Sequence, residues 1–253
     1  MIKSLIRNRF WIGAATAALL LSSCGSGDPA NPADRVSDSE ASPQPHGMNV
    51  SFRWIPTAGF DPMSAEGTFI RAFVESHELA RDGVGMEWGY PGFEAASPPE
   101  VASQLSLDSP FGPFTGTLIY RLLSRHDTDV ATQVTLCRYG AYTRFEPWND
   151  GPDRLVSRAW NPGPIILEFN RNGTPPPTEQ RGPNRAPTTN KFGQWRATAW
   201  DFVPKLPQGG DTPQYAECET NSDGLPPLPT QRTNVDTHTE PLPPSPGWPG
   251  TGV

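Results

Sequence analysis

The chain has 253 residues, 31 of them Pro and 24 Gly, with a net charge of −7. An acidic balance argues against a nucleic-acid partner and against docking on anionic lipid through a polybasic patch. In chain order, Lys3, Arg7 and Arg9 form a positive start, followed by the apolar run Phe10 to Leu21, "FWIGAATAALLL". A run of roughly a dozen apolar residues suits a signal peptide and falls short of the ~20 needed to span a bilayer. Without residues 1–23, which carry three positive charges and no acid, the net charge falls from −7 to −10.

Leu21-Ser22-Ser23-Cys24 closes that run. Leucine, two small residues and cysteine in this order resemble the lipobox of bacterial lipoproteins. The resemblance covers only the first 25 residues or so. It implies a diacylglycerol on Cys24, cleavage just before it, and a protein anchored on the extracytoplasmic face of the cell membrane. Two acyl chains on one residue meet the two-chain requirement for stable anchoring. With Cys24 so used, Cys137 and Cys218 remain. A pair left over in an oxidising compartment reads as one disulfide.

Residues 24–47 hold almost no large apolar side chain and read as a disordered tether. Residues 48–218 are expected to form one domain. Asp61 and Ser64 offer helix-start chemistry, and Phe69, Ile70, Phe73, Val74, His77 and Ala80 recur at helical spacing, with Gly83 and Gly85 as the stop. Short helical pieces are expected at 90–96 and 99–105. The period then changes to two. Leu118, Tyr120 and Leu122 alternate, then Val130, Val134 and Leu136 after a polar turn at His126 to Asp129. Further strands are expected near 154–160 or 165–169, and at "QWRATAWDFVP". Asn170 to Asn190 reads as a long Pro-rich loop, functional or merely mobile. Residues 219–253, with "GLPPLPTQ" and "EPLPPSPGWPG", read as a disordered, polyproline-like tail.

A leading helix followed by a twisted antiparallel sheet is an α+β layout. The helix "EGTFIRAFVESHELA", the strands around "VATQVTLCRYGAY" and the closing "GQWRATAWDFVP" resemble the NTF2-like (cystatin-like cone) superfamily. The resemblance is one of layout over most of the domain, without a signature motif. The Pro-rich loop and the tail depart from it. On this layout Val134 and Leu136 face the helix. Cys137 faces outward, so the segment from Pro207 to Cys218 must cross back over the outer face to reach it.

Chemistry is sparse in the sequence. There is no G-x-S-x-G, P-loop, H-E-x-x-H or metal-ligand spacing, and the four histidines at 46, 77, 126 and 238 are scattered. No catalytic residue, metal or cofactor is therefore expected. A cone would place a pocket beside the helix, and acid–base enzymes of the superfamily place an Asp or His and a Tyr inside it. The candidate ligand contacts are His77, Trp88, Tyr90 and Asp201. Each also has a plain structural reading: His77 as a core histidine, Trp88 and Tyr90 of "WGYPGF" as packing anchors, and Asp201 as a strand-end acid facing water. Glu168 and Asp108 are other carboxylates whose direction stays open. The expected function is a non-catalytic binding or assembly module for another envelope protein. A small-ligand carrier or enzyme using the pocket, and a structural spacer or surface antigen, are the alternatives.

Overall fold

The computed structural model describes residues 44, 48–105, 114–148, 151–159, 162–221, 223–225 and 231–250. The leader 1–23, Cys24 and almost all of the tether 24–47 lie outside the described residues, as does Asp108. The first element is a strand, β1 (Asn49–Ile55), in which Val50, Phe52 and Trp54 alternate inward. The helix α1 (Ala65–Gly83) follows, with the Ser64 side chain accepting from Gly67 N at 3.0 Å. The residue that turns the chain out of α1 is Val84, at φ 56°, rather than either flanking glycine. One 3₁₀ turn (Met86–Trp88) and two short helices, α2 (Phe93–Ala96) and α3 (Pro99–Leu105), lead to the sheet.

Five strands come next: β2 (Phe114–Asp127), β3 (Ala131–Trp148), β4 (Gly151–Ala159), β5 (Gly163–Asn170) and β6 (Arg196–Asp201). They are followed by a helix, α4 (Pro213–Thr220), and a two-residue strand, β7 (Thr233–Asn234). Both alternatives for the third strand are thus strands. The sheet is mixed and has seven strands. Contrary to the all-antiparallel expectation, β1 pairs parallel with β2, from Asn49↔Thr115 to Ile55↔Arg121. A parallel pair needs a long crossover, and the segment containing α1 supplies it. The 18-residue β3 is shared along its length: residues 131–138 pair with β5 and residues 141–148 with β4.

The inner face of the sheet and α1 form the main core. Every residue of α1 from Gly67 to Ala80 is buried, so this helix is covered all round and not on one stripe. Besides the sheet, the cover includes the Pro-rich segment 171–195, which contributes Ala186, Phe192 and Trp195, and Trp248 from the C-terminal segment.

Trp248 overturns the expected disordered tail and the domain limit at residue 218. Its side chain is 1 % exposed, and residues 231–250 are held along their length. Val235 N donates to Leu155 O at 3.0 Å, Thr239 N to Thr143 Oγ1 at 2.9 Å, and Leu242 N to Thr117 Oγ1 at 2.8 Å. Proline prevents the tail from building regular structure with itself. The tail is held instead by partners elsewhere in the fold: the N–H groups of its non-proline residues donate to β2, β3 and β4, and its last carbonyls accept from Arg53, Arg71 and Asn184.

On the outer face, Cys137 and Cys218 are bonded, with Cα atoms 5.4 Å apart, as the pairing of the leftover cysteines required. Cys218 sits inside α4, a helix the sequence reading does not include. Ile119, Tyr139 and the two cysteines make a second, smaller core there, and the Tyr139 hydroxyl reaches the carbonyls of Cys218 (3.0 Å) and Asn221 (2.7 Å). The two cysteines are 81 residues apart. A loop of that length gives a chain-entropy stabilisation of about 4–5 kcal/mol. Replacing both cysteines with alanine is expected to lower stability by up to that amount in urea unfolding. Hydrogen exchange should quicken first in α4 and around Leu225, with the amides of α1 least affected. Uniform quickening would contradict a local fastener on the outer face.

Candidate functional site

Helix α1 places two carboxylates in the interior, one turn apart. Glu75 Oε1 accepts from Trp54 Nε1 at 2.7 Å. Its Oε2 is 2.7 Å from the Tyr90 hydroxyl and accepts from Trp248 Nε1 at 2.8 Å. Arg71, one turn earlier, comes only within 4.0 Å of Glu75, because its two terminal nitrogens are engaged by backbone carbonyls. These belong to Pro62 (3.1 Å), Gln180 (2.8 Å), Pro246 (2.9 Å) and Gly247 (3.0 Å). Burial pushes the Glu75 carboxyl above its ordinary range, against the pull of Arg71 and three hydrogen bonds.

Glu78 has a different neighbourhood. It accepts from the Tyr120 hydroxyl at 2.7 Å, from Arg138 through both oxygens, and from Arg81 at 3.3 Å. Burial pushes this carboxyl up too. The Arg138 and Arg81 guanidiniums and the hydrogen bonds outweigh it and hold the carboxyl at about 2.

Tyr90, which holds the Glu75 carboxyl, also lines a groove of about 530 Å³. Its floor is Leu79 of α1, one wall is Glu87 to Pro91, and the opposite wall is Ala186 to Thr188. The volume lies in the range of small-molecule and peptide-side-chain sites, roughly 300–1,000 Å³. The aromatic wall is fixed from behind: Tyr90 N donates to Ser76 Oγ at 2.9 Å, and the Tyr90 hydroxyl bridges Glu75 and Arg185 O (3.1 Å). Two glycines let the walls close up. A Cβ on Gly89 would stand 2.4 Å from the Phe93 ring, and one on Gly92, at φ +94°, would stand 2.6 Å from the Asn190 amide. The groove is thus a mostly apolar slot with one acid, Glu87, on its exposed rim.

Two of the four expected contacts, Trp88 and Tyr90, line this groove, and two do not. His77 is 2 % exposed and packs against Trp200 (centroids 4.6 Å apart) and Phe202 (5.1 Å). Burial lowers its pKa to about 3, so it is a neutral core histidine at neutral pH. Asp201 is exposed on β6, its Oδ1 accepting from Val203 N at 3.2 Å. Glu168 accepts from the Thr198 hydroxyl at 2.7 Å. Neither carboxylate reaches the groove. The sequence reading missed Arg71, Glu75, Glu78 and Arg138. Arg71/Glu75 and Glu78/Arg81 have the spacing of ordinary surface ion pairs on a helix. Only the all-round cover of α1 shows them to be interior.

Among the described residues, no three His, Cys, Asp or Glu side chains are gathered closely enough to hold a metal ion. Among those same residues, no helix is long and apolar enough to cross a membrane. In comparisons with known proteins, no family model, no curated protein and no solved structure matches this chain.

The Glu78 cluster predicts a pH dependence. Its carboxyl is depressed from 4.5 to about 2 on folding, so its contribution is complete above pH 4.5 and is lost as pH falls towards 2. Glu78→Gln removes the carboxylate facing buried Arg138 and should lower stability at neutral pH by about 3–5 kcal/mol. Urea unfolding of the wild type and the variant should show this gap shrinking between pH 4.5 and 2. A gap that stays constant through that window would show that Glu78 is not the titrating group.

Proposed function

We propose that the protein is a lipid-anchored cell-envelope lipoprotein that works as a non-catalytic binding or assembly module, contacting its partner through the Trp88–Tyr90 groove. The observation that carries the reading is the construction of that groove. An aromatic turn is locked from behind by Glu75 and Ser76, so its open face is rigid before any partner arrives. Half-buried Trp88 and exposed Pro91 and Glu87 present apolar surface with an acidic edge. Such a face suits a side chain or loop of another envelope protein.

The address rests on the order of basic start, apolar run and "LSSC" ahead of a polar stretch, together with the disulfide expected of an oxidising compartment. In this reading Cys24 carries the lipid and residues 24–47 act as the tether. The long helix α1 packed against a seven-stranded sheet is the feature in keeping with an NTF2-like cone. The leading parallel strand β1, the strand β3 shared by two partners and the docked C-terminal segment are departures from it. The groove's volume and apolar lining also favour a second reading, a carrier or enzyme for a small apolar ligand.

Two experiments test this. Cys24→Ala should abolish incorporation of labelled palmitate and release the protein from membranes; unchanged labelling of that variant refutes the anchor. A photo-crosslinking amino acid in place of Thr188, at the exposed rim, should give a discrete protein adduct in intact envelopes. The adduct should be lost, or reduced about tenfold, when Trp88→Ala is added, the scale of effect expected of an aromatic anchor. An adduct of only a few hundred daltons would favour the carrier, and the absence of any adduct would leave the spacer or antigen reading.

A further inference from the structure

We propose that the channel between β1, α1 and residues 180–185 is a peptide-recognition site for a proline-flanked Gly-Trp segment, which the chain fills with its own residues 243–250, "PPSPGWPG". The segment is held as a peptide ligand is held. Ser245 adds to the free edge of β1: its N donates to Phe52 O at 3.1 Å and its O accepts from Trp54 N at 2.6 Å. This is strand addition at a sheet edge. On the other side Trp248 and Asn184 exchange two backbone hydrogen bonds, 2.8 and 3.1 Å long. The Arg53 guanidinium donates to Pro243 O, and Asn184 Nδ2 to Pro249 O at 3.3 Å.

The side-chain readout comes from two charged groups, 0 % and 1 % exposed. Arg71 donates to Pro246 O and Gly247 O, and its guanidinium carbon lies 4.2 Å from the centroid of the Trp248 ring. Glu75 accepts from the indole N–H. Tyr90 meets the indole edge to face at 5.7 Å. The site therefore reads tryptophan by a hydrogen bond and a cation together, which phenylalanine or leucine could not satisfy.

Glycine is read by exclusion. A Cβ on Gly247 would stand 2.3 Å from Gly182 O, and a Cβ on Gly182 would stand 2.3 Å from Trp248 O. The two backbones touch where both lack a side chain. The prolines at 243, 246 and 249 fit because the groups recognised at those positions are carbonyls, so no N–H is missed. Proline also restricts the backbone of the segment before it binds, which reduces the ordering cost. The occupant is the chain's own C-terminal segment, as the contacts above show.

The test never empties the site. A protease site is inserted between Asp236 and Thr237, both exposed, and the folded full chain is cut there. The cut complex is incubated with a fluorescently labelled synthetic peptide spanning residues 237–250, and exchange is followed by anisotropy. The peptide should replace the resident fragment. Peptides carrying Trp248→Ala, Trp248→Phe or Gly247→Ala should compete at least tenfold more weakly, while Glu240→Gln should compete as well as the parent. Sedimentation of the uncut chain should give a constant monomer mass over a range of concentrations, as filling in cis requires; a concentration-dependent dimer would overturn it. Failure of the parent peptide to exchange, or equal competition by all the peptides, would show that residues 243–250 are only a covalent part of the fold and would overturn the proposal.

Discussion

Four separate parts of the chain meet at the Glu75 carboxylate: β1 through Trp54, the aromatic turn through Tyr90, the C-terminal segment through Trp248, and α1 itself. Arg71 performs the complementary task from the same helix face, gathering carbonyls from residues 62, 180, 246 and 247. Buried charges are tolerated only when their hydrogen-bonding capacity is met, so each segment that reaches this pair is required by the others. That requirement explains why a helix at the centre of the domain carries two charged residues on a side that water never reaches. The pair replaces solvent with the indole N–H groups, the phenol and the peptide carbonyls of segments that have little regular structure of their own.

The contrast between Glu75 and Glu78 shows what decides the charge of a buried acid. Both are fully enclosed, and they sit three residues apart on one helix. Glu78 meets a guanidinium through both oxygens and a second one at 3.3 Å, and its carboxyl is driven down. Glu75 faces a guanidinium whose terminal nitrogens serve backbone carbonyls, and burial drives its carboxyl up. The Tyr90 hydroxyl has a single proton but lies within reach of both Glu75 and Arg185 O. The phenol proton is shared between the Glu75 carboxyl and the Arg185 carbonyl.

Elements that depend on local chemistry were legible in the sequence: α1 with its Ser64 cap, the short helices, and the period-two strands of the sheet. The disulfide was legible from parity, and its outer-face position followed from alternation along β3. The aromatic wall of the groove could be read from "WGYPGF". What could not be read depends on partners distant in sequence. Proline-rich segments look disordered because they cannot pair with themselves, and nothing near Trp248 in the chain reveals that Arg71 and Glu75, more than 170 residues earlier, will accept it. The strand β1 has a clear alternation of Val50, Phe52 and Trp54. Its parallel pairing, however, is set by the crossover through α1 and not by its own residues.

The C-terminal third of the chain is fastened at two points of different kinds. Cys218 is bonded covalently to the outer face of the sheet, whereas Trp248 is held against α1 by hydrogen bonds and ring contacts. Between them, Thr239 and Leu242 are tied to β3 and β2 by single hydrogen bonds to threonine hydroxyls. A covalent fastener survives local opening; a set of hydrogen bonds does not. The Trp248 site and the Trp88–Tyr90 groove are joined by shared partners: the Trp248 indole and the Tyr90 hydroxyl meet one oxygen of Glu75, and Asn184, which pairs with Trp248, lies two residues before the groove wall at Ala186. The groove wall and the C-terminal segment therefore rest on the same buried carboxylate, so the segment that the sequence presents as loose is part of what fixes the groove.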